Sequence, residues 1–391
     1  MESTCSILDL PLDVMVMIYK EIEDEKDKMN LVKAHKSFGF AFAMDAGNKY
    51  EKIMFDERPM QEWKLILPLC GKTVTQIVTR KVKTSVKVTK LAAMFCPNLE
   101  EYYLPVRSHF WNHVSPLLAT LENLKWIGLS NNYERLKVVK TLRLLPNLIY
   151  LDLIKFPLRD MLAVKMLENL EYIRIVNYRN EFVNLYQMCS GMKNLHSLSV
   201  SYVKIRFPRE TYEEVWPQMR FMKFGFGKFY TQLPFMPSLK YLEIEYTNPT
   251  TKLNQIFGTS IFKYANTLQK LRFCSETIRD LDESEVEAIS HLKALRKLAC
   301  HLDDGHIVSY ISRLKQLESV NLQYSNRLTN DGVCVLLSEC VKIRKLNLYA
   351  CPSINRLLIG LLIRLGHDVE LDNPLFLRFS RGFLAGTVGS A

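Results

Sequence analysis

Three apolar residues spaced as L-x-x-L-x-L recur along this chain, and the recurrence restricts its fold more than any other property. Leu124, Ile127 and Leu129 set the frame. Leu148, Leu151 and Leu153 repeat it, followed by Leu170, Ile173 and Ile175, then Leu195, Leu198 and Val200. Further copies begin at Val74, Leu99, Met219, Leu239, Leu268, Leu295, Leu317 and Ile343. The twelve frames from Val74 to Ile343 average about 24 residues each, within the 20–29 range of the shortest strand-and-helix repeats. A Pro-Asn, Glu-Asn or Lys-Asn pair often precedes the first apolar residue.

The second and third frame positions lie two apart, so a strand turns both to one side. Segments with helical spacing, such as Val138, Val139, Leu142 and Leu145, fall between frames and can cover the other edge. Each unit has an apolar edge that it cannot bury alone. Stacking in register buries it, which predicts an α/β solenoid with a curved parallel sheet inside and helices outside. An ordinary α/β domain would show continuous apolar strands, which these are not.

The pattern resembles the leucine-rich-repeat family over residues 71 to 372, about twelve repeats. The stretch from Leu322 to Leu348, with Arg327 to Val333 and with Cys340 three residues before Ile343, resembles its cysteine-containing subtype. The resemblance implies an Asn or Cys three residues after the last strand Leu. Asn132 and Cys351 stand there, while Phe156, Tyr178, Val203 and Thr247 replace it elsewhere.

Residues 7 to 42 read as compact helices. Pro11 suits a helix start, and Val14, Ile18, Tyr19 and Ile22 give that helix an apolar stripe. Met29, Leu31, Ala34, Phe38 and Phe42 follow at helical spacing and predict a second helix. Residues 43 to 70 read as a helical link or cap, and 373 to 391 as a tail with frayed last residues. The first segment resembles an F-box: Leu10, Pro11, Asp13, Ile18, Tyr19 and Ile22 fit its first half, and Ala34, Lys36 and Phe38 stand where Val, a basic residue and Trp are common. An F-box placed before leucine-rich repeats is the order of F-box/leucine-rich-repeat proteins. That resemblance implies the substrate-recognition subunit of a Skp/cullin/F-box ubiquitin ligase, acting in ubiquitin-dependent degradation without catalysis of its own. Leu10, Pro11, Val14, Ile18, Tyr19, Ile22, Leu31, Ala34 and Phe38 would then contact a Skp-family adaptor and, through it, cullin.

No catalytic motif stands out. His109 and His113 are the one histidine pair at ligand spacing, and their neighbours supply no further ligand. No metal and no cofactor is expected. Nine cysteines without a C-x-x-C pair suggest a reducing, cytoplasmic or nuclear setting. Met1 to Leu12 lack the pattern of a secretory signal, and the apolar stretch Leu357 to Leu365 is too short to span a membrane. With 52 basic and 41 acidic residues the formal charge is +11. The charges are spread along the chain, which argues against nucleic acid as the partner. The one dense basic run, Arg80 to Lys90, alternates with Val and Thr as a solvated strand face would.

The residue before each second frame position should face away from the core. It is Trp126, Tyr150, Tyr172, Ser197, Phe221 and Tyr241, then Lys270, Lys297, Ser319 and Lys345. Aromatic residues in a row are typical of binding hot spots, so the aromatic and lysine positions are the candidate partner-binding residues of the concave face. Two other functions fit the sequence: a repeat scaffold whose first helices only cap it, and a basic binder of nucleic acid or phosphoinositide.

Overall fold

Each frame of the sequence carries one strand, and the strand starts one residue before the frame's second apolar position. The computed structural model describes residues 6–179, 181–189, 191–206, 215–230, 232–247, 251–275 and 281–370; the tail from 373 to 391 lies outside them. Two units are distinguished, Met1–Asn177 with Gln187–Leu195, and Tyr178–Tyr186 with His196–Ala391.

In the first unit β1 (Lys52–Met54), β2 (Gln76–Val78), β3 (Glu101–Pro105), β4 (Trp126–Ser130), β5 (Tyr150–Ile154) and β6 (Tyr172–Val176) run parallel in that order. The second unit holds β7 (Phe182–Asn184), β8 (Ser197–Ser201), β9 (Lys204–Arg206), β10 (Phe221–Gly225), β11 (Lys228–Phe229), β12 (Tyr241–Thr247), β13 (Lys270–Ser275), β14 (Lys297–Ala299), β15 (Ser319–Asn321), β16 (Lys345–Asn347) and β17 (Asp368–Glu370). There β8, β10 and β12 to β17 are parallel neighbours in sequence order. β7, β9 and β11 form a separate small parallel sheet. Leu151 and Leu198 are fully buried, as the frame requires. Tyr150 and Ser197 are half-buried rather than exposed, and for Tyr150 the cause is the flanking rings of Trp126 and Tyr172 at 5.7 and 5.5 Å.

The asparagine ahead of each early frame has a structural reason. The side-chain amides of Asn98, Asn123, Asn147, Asn169 and Asn194 donate to the backbone carbonyls of Lys72, Pro97, Glu122, Pro146 and Glu168, each one repeat upstream. A second buried asparagine sits at the turn after the strand, one residue before the place that the resemblance implies. Asn131 and Asn177 are buried, not Asn132 and Tyr178, which are exposed. Asn131 donates to the Glu134 carbonyl at 2.7 Å and Asn177 to that of Phe156 at 3.1 Å. Phe156, Val203 and Cys351 are buried as well.

The sheet begins earlier than residue 71, since β1 lies in the segment expected to be helical. Tyr50, Ile53 and Phe55 form a frame without leucine, and all three are buried. The rest of the link is helical. The N-terminal helices are α1 (Leu12–Glu21), α2 (Glu25–Ala34), α3 (Lys36–Ala46) and α4 (Met60–Cys70). The single second helix expected over 29 to 42 is thus two. His35 breaks it with φ −157° and ψ 148°, and its Nδ1 accepts from the Ser37 N–H at 3.3 Å. Met15 and Tyr19, one turn apart, point inward; the Tyr19 ring lies 6.4 Å from Phe38 and 6.2 Å from Phe42. The basic run also differs from expectation. Ser85–Phe95 is a helix, α5, because Ser85, Val88, Thr89 and Ala92 recur at helical spacing and are buried, leaving Lys87 and Lys90 exposed.

Candidate functional site

The outward rows of the strands collect the candidate residues, unit by unit. In the first unit Glu101, Trp126, Tyr150 and Tyr172 are paired in register across β3 to β6, with Tyr103, Gly128, Asp152 and Arg174 two residues on. Neighbouring strands lie about 4.8 Å apart, which brings side chains of one row into contact. Tyr103 stacks on Trp126 at 6.4 Å, Trp126 lies 5.7 Å from Tyr150, and Tyr150 stacks on Tyr172 at 5.5 Å. All four are half-buried, so they form a continuous aromatic ledge.

Gly128 makes the ledge possible. A β-carbon there would stand 2.7 Å from the Trp126 ring and closer still to that of Tyr103, so only glycine lets both rings fold over the strand. Beside it Asp152 is buried and accepts from Arg174 at 2.6 Å. Burial pushes the Asp152 carboxyl above its ordinary pKa, and Arg174 opposes that shift. Asp152 Oδ1 has no hydrogen-bond partner among the described residues. Gly128 was the missed signal in the sequence, since an isolated glycine inside a strand marks a close approach.

In the second unit Ser197, Phe221, Tyr241, Lys270, Lys297, Ser319 and Lys345 are in register from β8 to β16. Phe221 is half-buried and Tyr241 exposed. The lysines are not a uniform basic patch. Lys270 pairs with Glu243, and Lys345 with Asp368 at 3.2 Å. Lys223 bridges Glu243 and Glu245 at 3.0 and 2.8 Å, and Arg272 reaches Glu245 at 2.8 Å. Burial works against the charge of Glu243, yet Lys223 and Lys270 hold its carboxyl below the ordinary pKa. Lys297 has no ion-pair partner among the described residues. A hollow of about 190 Å³ opens between Lys270, Lys297, Ser319 and Lys345 over Ala299.

The N-terminal candidates divide in two. Tyr19 and Phe38, expected at the adaptor contact, are core residues: Tyr19 is 0% exposed and its hydroxyl donates to the Lys28 carbonyl at 3.3 Å. Neither can touch a partner while the helices stay packed. Leu10, Ile18, Ile22 and Leu31 are half-buried, and Pro11, Val14 and Ala34 are exposed. The structure adds residues that the sequence did not single out: Leu12, Met17, Ile7 and Leu8 are large apolar side chains left exposed, Met17 by 65%.

His109 and His113 lie exposed on a helix, Ser108–Leu118. Among the described residues no group of three or more His, Cys, Asp or Glu could hold a metal ion, and no helix is long and apolar enough to cross a membrane.

The fold is a leucine-rich-repeat solenoid. Its parallel strands, one per frame, and the helical segments between them define it. No protein-family model matches the chain, and no curated protein is significantly similar to it. Solved structures similar to it include the TLR13–ssRNA13 complex, at 16% identity and a TM-score of 0.46 over 72% of this chain. The chain spans 44% of that protein's length. The yeast Rad7 and Elc1 complex is 12% identical with a TM-score of 0.49, covering 92% of this chain and 95% of the other. An internalin from Listeria monocytogenes is 16% identical with a TM-score of 0.41, covering 81% and 90%.

Proposed function

We propose that this protein is the substrate-recognition subunit of a Skp/cullin/F-box ubiquitin ligase: its N-terminal helices dock a Skp-family adaptor, and its strand face holds a target protein. One observation supports this reading over a plain cap. A helix that only caps a solenoid turns its apolar residues inward. α1 does so with Met15 and Tyr19, yet it also exposes Leu12, Val14 and Met17, with Ile7 and Leu8 just ahead of it. Exposed apolar residues gathered on one short segment mark an interaction surface. The order of modules, helices first and repeats after, is that of the F-box/leucine-rich-repeat proteins that the sequence resembles.

In this role the protein positions rather than reacts. The aromatic ledge of Tyr103, Trp126, Tyr150 and Tyr172 supplies rigid contact area of the kind that dominates protein interfaces. Holding the target raises the local concentration of its lysines near the conjugating enzyme, while the transfer itself takes place on other subunits. The test is purification of the intact chain from cells. Co-purification of a Skp-family adaptor with cullin supports the proposal; their absence from a well-folded preparation leaves a scaffold with a helical cap.

A further inference from the structure

The small sheet of the second unit has an outer face unlike the strand faces described above. In register across it stand Phe182, Lys204 and Lys228, then Asn184 and Arg206, with Tyr230 directly after β11. The alternate residues Val183, Ile205 and Phe229 are buried, which fixes the first set as outward. Phe182 is 55% and Tyr230 53% exposed. Their ring centroids are 5.2 Å apart, and Lys204 Nζ lies 5.1 Å from the centre of the Phe182 ring. Lys204, Arg206 and Lys228 form no ion pair among the described residues.

We infer that this face binds single-stranded nucleic acid, with Phe182 and Tyr230 stacking on bases and Lys204, Arg206 and Lys228 holding the phosphates. Two side-chain chemistries meet here, exposed aromatic rings and cations without an ion-pair partner among the described residues, and together they match a polymer of bases joined by phosphates. A protein partner fits less well, because lysine is depleted from protein interfaces and this face carries two. Duplex fits less well too, since its bases offer no free face for a ring. The strand face of the same unit provides a contrast: there Lys223, Lys270 and Arg272 are offset by Glu243 and Glu245. Residues about one repeat apart supply the small sheet, so cations that look scattered along the sequence are gathered by the fold on one surface. The inference is independent of the ligase reading, because it uses neither the N-terminal helices nor the aromatic ledge.

The test uses the full chain and a fluorescently labelled oligouridylate, with the matching single-stranded DNA, a duplex of the same length and polyglutamate as competitors. Binding of the single strand should weaken with salt at a log–log slope of about −2, from three phosphate contacts at roughly −0.7 each. Replacing Phe182 and Tyr230 with Leu keeps apolar bulk but removes the rings. Affinity should fall roughly fivefold to a hundredfold per ring, the range of base–aromatic stacking, with the salt slope unchanged. Lys204→Gln, Arg206→Gln and Lys228→Gln together should abolish the salt-dependent part. All five side chains lie on the outer face, and circular dichroism of each variant checks the fold. RNA and DNA competitors rank the two sugars, and either one binding supports the inference. It is overturned if the single strand does not bind at low salt, if polyglutamate or duplex competes equally well, or if the Leu variants bind as tightly as the parent.

Discussion

The side-chain amide of Asn147 donates to the backbone carbonyl of Glu122, one repeat upstream, at 2.9 Å. The same bond recurs from Asn98 to Asn194 and ties successive turns of the first unit together at a point where neither strand nor helix does. In the second unit the corresponding places, just before Leu239, Leu268 and Leu295, hold Ser238, Thr267 and Ala294.

Asn147→Ala should therefore destabilise the first unit by about 1 kcal/mol, the usual net value of such a bond. Asn147→Asp should cost at least as much, because a carboxylate cannot donate to the carbonyl. Urea unfolding of the two variants measures this, and unchanged midpoints for both would show that the bond contributes nothing.

Gly128→Ala should cost roughly 1–3 kcal/mol, the range for forcing extra volume into a packed site, although alanine favours a strand at least as well as glycine. The added carbon would meet the rings of Tyr103 and Trp126, so the ledge must open. Thermal unfolding gives the cost, and affinity for a captured target should fall with it. A variant as stable as the parent would contradict the placement of the two rings.

Asp282 caps the helix Glu283–Ser290 and accepts from Lys252 at 2.8 Å, Ser284 at 2.7 Å and the Glu285 N–H at 3.0 Å. Burial pushes its carboxyl up, but those donors outweigh burial and hold the pKa at about 2, against roughly 3.9 in an unfolded chain. A depressed pKa favours the folded state above the unfolded value, and that contribution is lost as pH falls through the folded one. Between about pH 4 and pH 2 the parent should lose more stability than Asp282→Asn, which keeps a capping side chain without the charge. Exposure of the ion pair to solvent keeps the difference small. Parallel acid unfolding curves for the two proteins would refute it.

Much of the fold was legible because its signal is periodic. Leu151 and Leu198 could be assigned to the core from the frame alone, since a strand's two-residue alternation leaves no other side for them. Where the frame drops leucine, as at Tyr50, Ile53 and Phe55, the strand was missed, although the spacing persists. The turn asparagines were displaced by one residue, because Asn131 and Asn132 are adjacent and spacing alone does not say which turns inward. The site was less legible. The rows of the strand face followed from the frame, but their electrostatics did not. Glu243 and Glu245 neutralise lysines some twenty residues away in sequence, and only the register of β10, β12 and β13 brings them together. Tyr19 illustrates the limit at the N-terminus: an amphipathic helix shows which residues are apolar, not which of two apolar sides is buried.

Titration of a purified Skp-family adaptor into the purified full chain tests most directly whether α1 offers its apolar surface to an adaptor. Val14 and Met17 are exposed whereas Tyr19 is buried, so Val14→Asp with Met17→Asp should abolish binding and leave the unfolding transition in place. Tyr19→Asp should instead unfold the helices, since it buries a charge without a partner. Saturable binding by the parent that is lost in the Val14/Met17 variant is the result expected. Failure of the folded parent to bind the adaptor, or undiminished binding by that variant, would contradict the account.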